Sequence, residues 1–268
     1  MSKVVLITGA SSGLGLTTAL YLHEKGHIVF GTSRNPKNYN NKYPFTFLPL
    51  ENTDSKSIQN CIKLVLSQYG RLIVLINNAG VGITGPMEEI ELSDVKHHFE
   101  VNCFGPLEII RTILPQMREQ GDGLIINITS IAADMGLPFR GPYSAAKGAL
   151  ERMSEALRME TYAFGIRICN IAPGDFVSNI ADRRHYTPLN EGSPYSKSYQ
   201  FSLDEMNEHV NNGINPKKIA KKIDSLIDTQ KLKVRYKIGA PLQKISGILK
   251  SFLPSRIFEK LLMKHYKL

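Results

Sequence analysis

The chain has 268 residues, enough to bury a full core, and its 42% hydrophobic and 21% charged content is that of an ordinary folded domain and excludes a disordered or fibrous chain. The net charge of +9 is unevenly placed, because residues 215–268 hold 14 Lys and Arg against three Asp and Glu while the rest of the chain is slightly acidic. Cys61, Cys103 and Cys169 are widely spaced and form no CxxC pair, so buried free thiols are expected in place of a disulfide framework or a zinc site.

The first residues, MSKVVLITGA, enter a β-branched run at once, without the charged start and apolar stretch of a signal peptide, so a cytoplasmic protein is expected. Strand-like runs follow at residues 4–8, 28–32, 46–50, 72–77, 124–127, 166–171 and 234–238, each separated from the next by helical spacing. Short apolar strands joined through helices imply an α/β fold, a doubly wound parallel sheet of about seven strands covered on both faces. Gly26 closes the first helix, Asp54 is placed to cap a helix over 55–69, and Asn215 with Pro216 opens another. Residues 178–213 show no clear periodicity and contain Tyr186, Tyr195, Tyr199 and Phe201 among polar neighbours. So long a loop in a compact domain reads as a substrate lid.

Directly after the first strand comes TGASSGLG, residues 8–15, and then a helix. Gly9, Gly13 and Gly15 let the backbone turn tightly against a pyrophosphate, with Thr8, Ser11, Ser12 and Leu14 in the same turn and the helix N-terminus facing the negative charge. A glycine cluster alone is a plain tight turn; the strand-turn-helix context makes it a dinucleotide site. The second strand ends in GTSRN, without the acid that would bind the ribose hydroxyls of NAD. Ser33 and Arg34 there suit a 2′-phosphate, which favours NADP(H). The fourth strand ends in NNAG, and Asn78, Ala79 and Gly80 should border the same cofactor, because ligands of doubly wound sheets bind at the carboxyl ends of the strands.

The strongest chemical signal is Ser130, just past the fifth strand, together with YSAAK at 143–147, which opens a helix. Residues four apart share a helix face, so Tyr143 and Lys147 point the same way. A phenol is ordinarily too weak an acid for proton transfer at neutral pH. An ammonium at about 5 Å and an effective dielectric near 20 stabilises a phenolate by roughly 3 kcal/mol, which suits the pair to general acid-base work. Ser130 would hydrogen-bond the substrate oxygen while charge develops there.

TGASSGLG, NNAG, Ser130 and YSAAK, in this order, resemble the classical short-chain dehydrogenases/reductases over about residues 4–175. The resemblance implies a Rossmann-type sheet of seven parallel strands, hydride transfer between a carbonyl and an alcohol, and a homodimer or homotetramer. It also implies a fourth catalytic residue, Asn102 of VNCFGP, which in the family holds a water that links the lysine to a proton relay; the residues alone give Asn102 no role. Carried over as cofactor contacts are Glu51 and Asn52 beside the adenine, Tyr143 and Lys147 at the nicotinamide ribose, Pro173 and Gly174 at the nicotinamide, and Ser178. Two positions depart from the family: Ser178 stands where threonine is common, which keeps the hydroxyl, and Glu51 stands where aspartate is usual. The 178–213 segment and the tail are similar to those of hydroxysteroid and retinol dehydrogenases, implying an apolar carbonyl substrate such as a steroid, a retinoid or a long-chain keto lipid, 3-ketosphinganine included.

In the tail, Leu242, Ile245, Ile248, Leu249, Phe252 and Leu253 recur at helical spacing, Pro254 interrupts, and Ile257, Phe258, Leu261 and Leu262 continue between lysines and Arg256. Residues 241–268 are therefore a basic amphipathic extension of a cofactor-binding domain spanning 1–240. Such helices usually cap a pocket or a subunit contact; the alternative is a peripheral contact with a membrane surface. No run reaches the ~18 apolar residues of a membrane span, and no reading motif accompanies the charge to point to nucleic acid. His97 and His98 read as a solvated helix face, since no further ligands make them a metal site. A rival from another class is a non-catalytic NADP(H)-binding redox sensor acting through the basic tail; the intact set of Ser130, Tyr143 and Lys147 argues for an enzyme.

Overall fold

The computed structural model describes residues 2–177, 184–211 and 213–268. In chain order its elements begin β1 (Val4–Ile7), α1 (Gly13–Glu24), β2 (Ile28–Ser33), β3 (Thr46–Pro49), α2 (Ser55–Tyr69), β4 (Val74–Asn77), β5 (Ile83–Thr84), α3 (Leu92–Phe99), α4 (Gly105–Gln120) and β6 (Gly123–Ile128). They continue with α5 (Gly141–Glu160), β7 (Ile166–Pro173), β8 (His185–Tyr186), α6 (Ser196–Asn211), α7 (Lys217–Ile227), β9 (Arg235–Ile238), α8 (Pro241–Phe252) and α9 (Ser255–His265). The main sheet has seven strands in the order β3-β2-β1-β4-β6-β7-β9, all parallel, so each expected strand is present and the doubly wound fold class is observed.

Alternation along β1 shows why both faces must be covered. Val5 and Ile7 pack with Leu14, Ala19 and Leu22 of α1 and with Ile219, Ile223 and Leu226 of α7. Val4 and Leu6 face the other way, onto Ile58, Ile62 and Val65 of α2 and Ile109, Ile113 and Met117 of α4. Full burial of each such side chain contributes about 1.5–3 kcal/mol, so these two apolar layers, more than helix propensity, hold the helices in place. Local signals set the ends: Asp54 Oδ1 accepts from Lys56 N at 2.9 Å at the start of α2, and Gly70, at φ 65°, terminates it.

The 178–213 segment departs from expectation. Its described part contains β8, which pairs with β5, and the helix α6, in place of the uninterrupted loop expected. Along α6 the buried positions Tyr199, Ser202, Met206 and Val210 do keep a helical period, but a serine and a tyrosine occupy two of them, which hides the stripe from a hydrophobicity reading. Tyr199 Oη donates to Thr84 O at 2.9 Å and so pins α6 to β5.

The tail forms two helices, α8 and α9, and folds back over the carboxyl edge of the sheet. Gln243 Nε2 donates to Asp175 Oδ2 at 2.5 Å, Lys250 Nζ donates to Asp134 O at 2.9 Å, and Lys267 pairs with Glu205 of α6. Among the described residues, no helix is long and apolar enough to cross a membrane.

Candidate active site

The chain runs outward from β1 to β2 and β3, then crosses back to β4, so strand order reverses between β1 and β4. The glycine turn and NNAG both lie at this switch point, where doubly wound sheets open a crevice. The two loops are stitched together: Thr8 Oγ1 accepts from Asn78 N and from Ala79 N, each at 2.9 Å, and Asn78 Nδ2 donates to Thr8 O at 2.9 Å and Gly9 O at 3.2 Å. Gly9 has φ 65°, and a Cβ there would stand 2.9 Å from Ala79 Cα, so only glycine allows this approach.

These residues fit a dinucleotide. Ser12 opens α1 without a side-chain cap, which leaves the first-turn N–H groups between Gly13 and Gly15 to an anion, with Ser11 and Leu14 in the same turn. At the end of β2, Ser33 Oγ accepts from Asn35 N at 3.2 Å, and the Arg34 guanidinium is exposed. Asn52 is buried and its Nδ2 has no partner among the described residues, while the neighbouring Glu51 carboxylate accepts weakly from Thr53 N at 3.4 Å. Pro173 ends β7, and Gly174 N donates to Ile238 O at 2.7 Å, bringing that corner to the crevice. Ser178 lies outside the described residues.

A cavity of about 860 Å³ continues from the crevice, and Asn102, Ser130, Tyr143 and Lys147 all line it. Ser130 Oγ accepts from Ala132 N at 3.1 Å, which fixes the turn after β6. Tyr143 and Lys147 stand one turn apart near the start of α5, both buried. Lys147 Nζ donates to Ile128 O at 3.1 Å; burial pulls its ammonium down to about 8, against the opposing pull of Cys103 and Glu151. Gly80 makes room for two of these side chains, since a Cβ there would meet Asn102 Oδ1 at 2.6 Å and Lys147 Nζ at 3.3 Å.

Asn102 sits in a five-residue π turn, Glu100–Phe104, between α3 and α4. Such bulges occur often at functional sites. Its side chain clamps the loop opposite: Nδ2 donates to Val81 O at 3.1 Å and Oδ1 accepts from Val81 N at 3.3 Å. His98, expected on a solvated face, is instead buried, with its ring nitrogens 3.3 Å from Asn102 Nδ2 and its ring centre 5.9 Å from that of Tyr143. Burial, followed by Lys147, His97 and His185, pushes its imidazole down to about 3, so the ring is neutral. His97 is the exposed member of the pair. The i to i+4 spacing of His98 and Asn102 was the available signal.

A second group that sequence reasoning missed supports Ser130 from behind. Arg235 of β9 donates from Nη2 to Ser130 O at 2.9 Å, pairs through Nε with Glu151 Oε1 at 3.0 Å, and pairs with Asp134. Lys237 Nζ adds a contact to Asp134 Oδ2 at 2.8 Å. Burial raises the Glu151 carboxyl above its ordinary value, although Thr129 Oγ1 donates to it at 2.6 Å and Arg235 stands beside it. For Asp134 burial also pushes upward, but hydrogen bonds from Lys237 and Arg235 more than reverse this and leave the carboxyl low. The expected buried free thiols are observed; burial pushes Cys61 and Cys169 up to about 12.

Comparison with known proteins agrees with this geometry. The family model described as short chain dehydrogenase matches residues 3–187. A 3-ketodihydrosphingosine reductase of Bacteroides thetaiotaomicron is 38% identical, with 98% of each chain covered. An NADPH-dependent 3-dehydrocapnine reductase of Ornithobacterium rhinotracheale is 28% identical over 99% of this chain and 98% of the relative. Among solved structures, a short-chain dehydrogenase from Streptomyces avermitilis superposes with a TM-score of 0.83 at 32% identity, covering 98% of this chain and 96% of that one. With its seven-stranded parallel sheet and the match over most of its length, this chain belongs to the short-chain dehydrogenase family of oxidoreductases.

Proposed function

We propose that the chain is an NADP(H)-dependent reductase, or the reverse dehydrogenase, acting on a ketone carried by an apolar, lipid-like molecule. The observation that carries this is one cavity shared by Ser130, Tyr143, Lys147 and Asn102, whose outer part is closed by apolar side chains of α6, α8 and α9 such as Met206, Leu249, Phe258 and Leu262. The names of the Bacteroides and Ornithobacterium relatives support a lipid ketone. The exposed Arg34 and the missing acid at the end of β2 support the phosphorylated dinucleotide.

When bound, the nicotinamide supplies the hydride. Ser130 Oγ and Tyr143 Oη donate to the substrate oxygen, and Tyr143 passes its proton to that oxygen as the carbonyl carbon is reduced. Lys147 stabilises the phenolate left behind until the phenol is reprotonated. Asn102 positions these groups by locking the π turn against Val81.

Incubating the protein with NADPH and a panel of long-chain 3-keto lipids, steroid ketones and retinal tests the proposal: nicotinamide absorbance should fall with a keto lipid. Tyr143→Phe should abolish the loss while cofactor still binds. A redox sensor would bind NADPH and turn over nothing.

A specific observation also favours a membrane contact. Leu242, Ile245, Ile248, Phe252 and Ile257 are exposed on α8 and α9 beside Lys244, Lys250, Arg256 and Lys260, around the part of the cavity that these helices close. Basic amphipathic helices of this kind rest in an anionic lipid interface, from which a lipid substrate would enter.

A further inference from the structure

Two arginines that line the cavity, Arg140 and Arg184, form no ion pair with a carboxylate among the described residues. Arg184 is only 9% exposed, lies against Gly82, and donates from Nη1 to the neutral Asn207 Oδ1 at 3.3 Å. Arg140, at the start of α5, places its guanidinium carbon 5.0 Å from the centre of the Tyr143 ring and shares a hydrogen bond with the neutral Tyr266 hydroxyl, which carries no countercharge. Both line the cavity, and burial followed by the charge of Arg140 makes the Arg184 cation harder to hold. Among the described residues neither forms an ion pair with a carboxylate, whereas Arg152, Arg167 and Arg235 each do. The two acids that line the same cavity are engaged elsewhere, Glu205 by Lys267 and Asp175 by Gln243. Aromatic rings flank the guanidinium groups, with Tyr143 under Arg140 and Tyr186 at 5.7 Å from Arg184.

Holding two cations in one partly desolvated cavity without a counter-ion is costly, and a guanidinium cannot shed its proton to escape the cost. An anion from the ligand relieves it, and the planar forks of the two arginines match the oxygens of a carboxylate, sulfonate or phosphonate. The cofactor does not fill this role, because the fit described above places its pyrophosphate at the N-terminus of α1. The 5.0 Å between Arg140 and the Tyr143 ring sets the anion a short spacer from the reacting carbonyl. Beyond it, Met135, Leu137, Val210 and Leu262 line space for an apolar tail.

We propose that Arg140 and Arg184 form a head-group site, so that the substrate is an amphiphilic ketone carrying an anionic group close to the carbonyl. This rests on the reductase activity proposed above. A long-chain 2-oxoalkylphosphonate and its dimethyl ester present the same ketone and tail with and without charge. With NADPH, wild-type protein should reduce the free phosphonate with a kcat/KM about tenfold to a hundredfold above the ester, the span of a charge-assisted hydrogen bond. Arg184→Met should collapse that ratio to near one, and Arg184→Lys should keep part of it; the ratio is internal to each preparation, so partial loss of folding does not move it. A wild-type ratio near or below one, or a ratio unchanged in Arg184→Met, would overturn the head-group site while leaving the reductase standing. Calorimetry with non-reducible decylphosphonate on NADPH-loaded protein separates the other failure. Salt-sensitive binding without reduction of any ketone supports the anion site and rejects the reductase, whereas absence of both binding and reduction rejects both.

Discussion

Replacing Arg235 by methionine keeps an unbranched apolar stem and removes the guanidinium and its charge from three partners. Asp134 keeps Lys237 at 2.8 Å, so the loss falls on Glu151, whose side chain is 1% exposed and among the described residues retains the Thr129 hydroxyl as its hydrogen-bond partner, and on the carbonyl of Ser130. Removing one member of a buried pair costs about 3–5 kcal/mol, and the partial exposure of Arg235 argues for about 3. A lost hydrogen bond to Ser130 O adds about 1 kcal/mol. At roughly 2–4 °C per kcal/mol for a domain of this size, the melting temperature should fall by about 8–16 °C. Glu151 also gives the effect a sign with pH. Its folded value lies above the ordinary carboxyl value, so the folded chain binds that proton more tightly, and the associated stability is lost as pH rises through the folded value. The variant sharpens this, and its deficit should be larger at pH 8 than at pH 5.5, while Arg235→Lys should lie between variant and wild type. Thermal melts followed by far-ultraviolet circular dichroism at both pH values measure it. A fall below about 2 °C, or one equal at the two pH values, would refute the reasoning.

Further outcomes follow from the same structure. Lys147 is held down to about 8 in the fold against 10.5 when free, so folding carries a cost below that window which is relieved as pH rises through it. Urea unfolding should therefore show Lys147→Met losing ground against wild type between pH 7 and pH 10, and a constant difference would contradict the burial account. Arg34→Ala should raise the KM for NADPH about tenfold to a hundredfold and leave that for NADH within a few-fold, read from initial rates. Vesicle sedimentation should show binding to phosphatidylglycerol vesicles that weakens with salt and with neutralisation of Lys244, Lys250 and Lys260, each worth about 1 kcal/mol near such a surface. Equal binding to neutral vesicles would remove the electrostatic argument.

The seven strands were legible because each is a short apolar run between helical periods, and parallel burial on both faces leaves such a run little freedom. The glycine turn, NNAG and the Tyr143 to Lys147 spacing were legible because backbone approach and helix geometry restrict which residues serve at those positions. What escaped was set by tertiary contact. His98 carries no sign of burial beyond its i to i+4 spacing from Asn102; the contact forms where the π turn at Glu100–Phe104 follows α3, and Asn102 Nδ2 donates to His98 O. Arg235 and Glu151 are 84 positions apart in the chain, and only the pairing of β9 with β7 brings them together beneath Ser130. In the same way, Arg184 lies in a stretch whose periodicity is broken by polar residues, and its place in the cavity that Arg140 also lines depends on β8 pairing with β5.

Hydride transfer itself is the most direct test. With NADPH deuterated at the transferring C4 position and a long-chain keto lipid, mass spectrometry of the alcohol formed should find one deuterium on the former carbonyl carbon with wild-type protein and no labelled alcohol with Tyr143→Phe. Unlabelled or absent alcohol with the wild type, or equal labelled yield from Tyr143→Phe, would contradict the account.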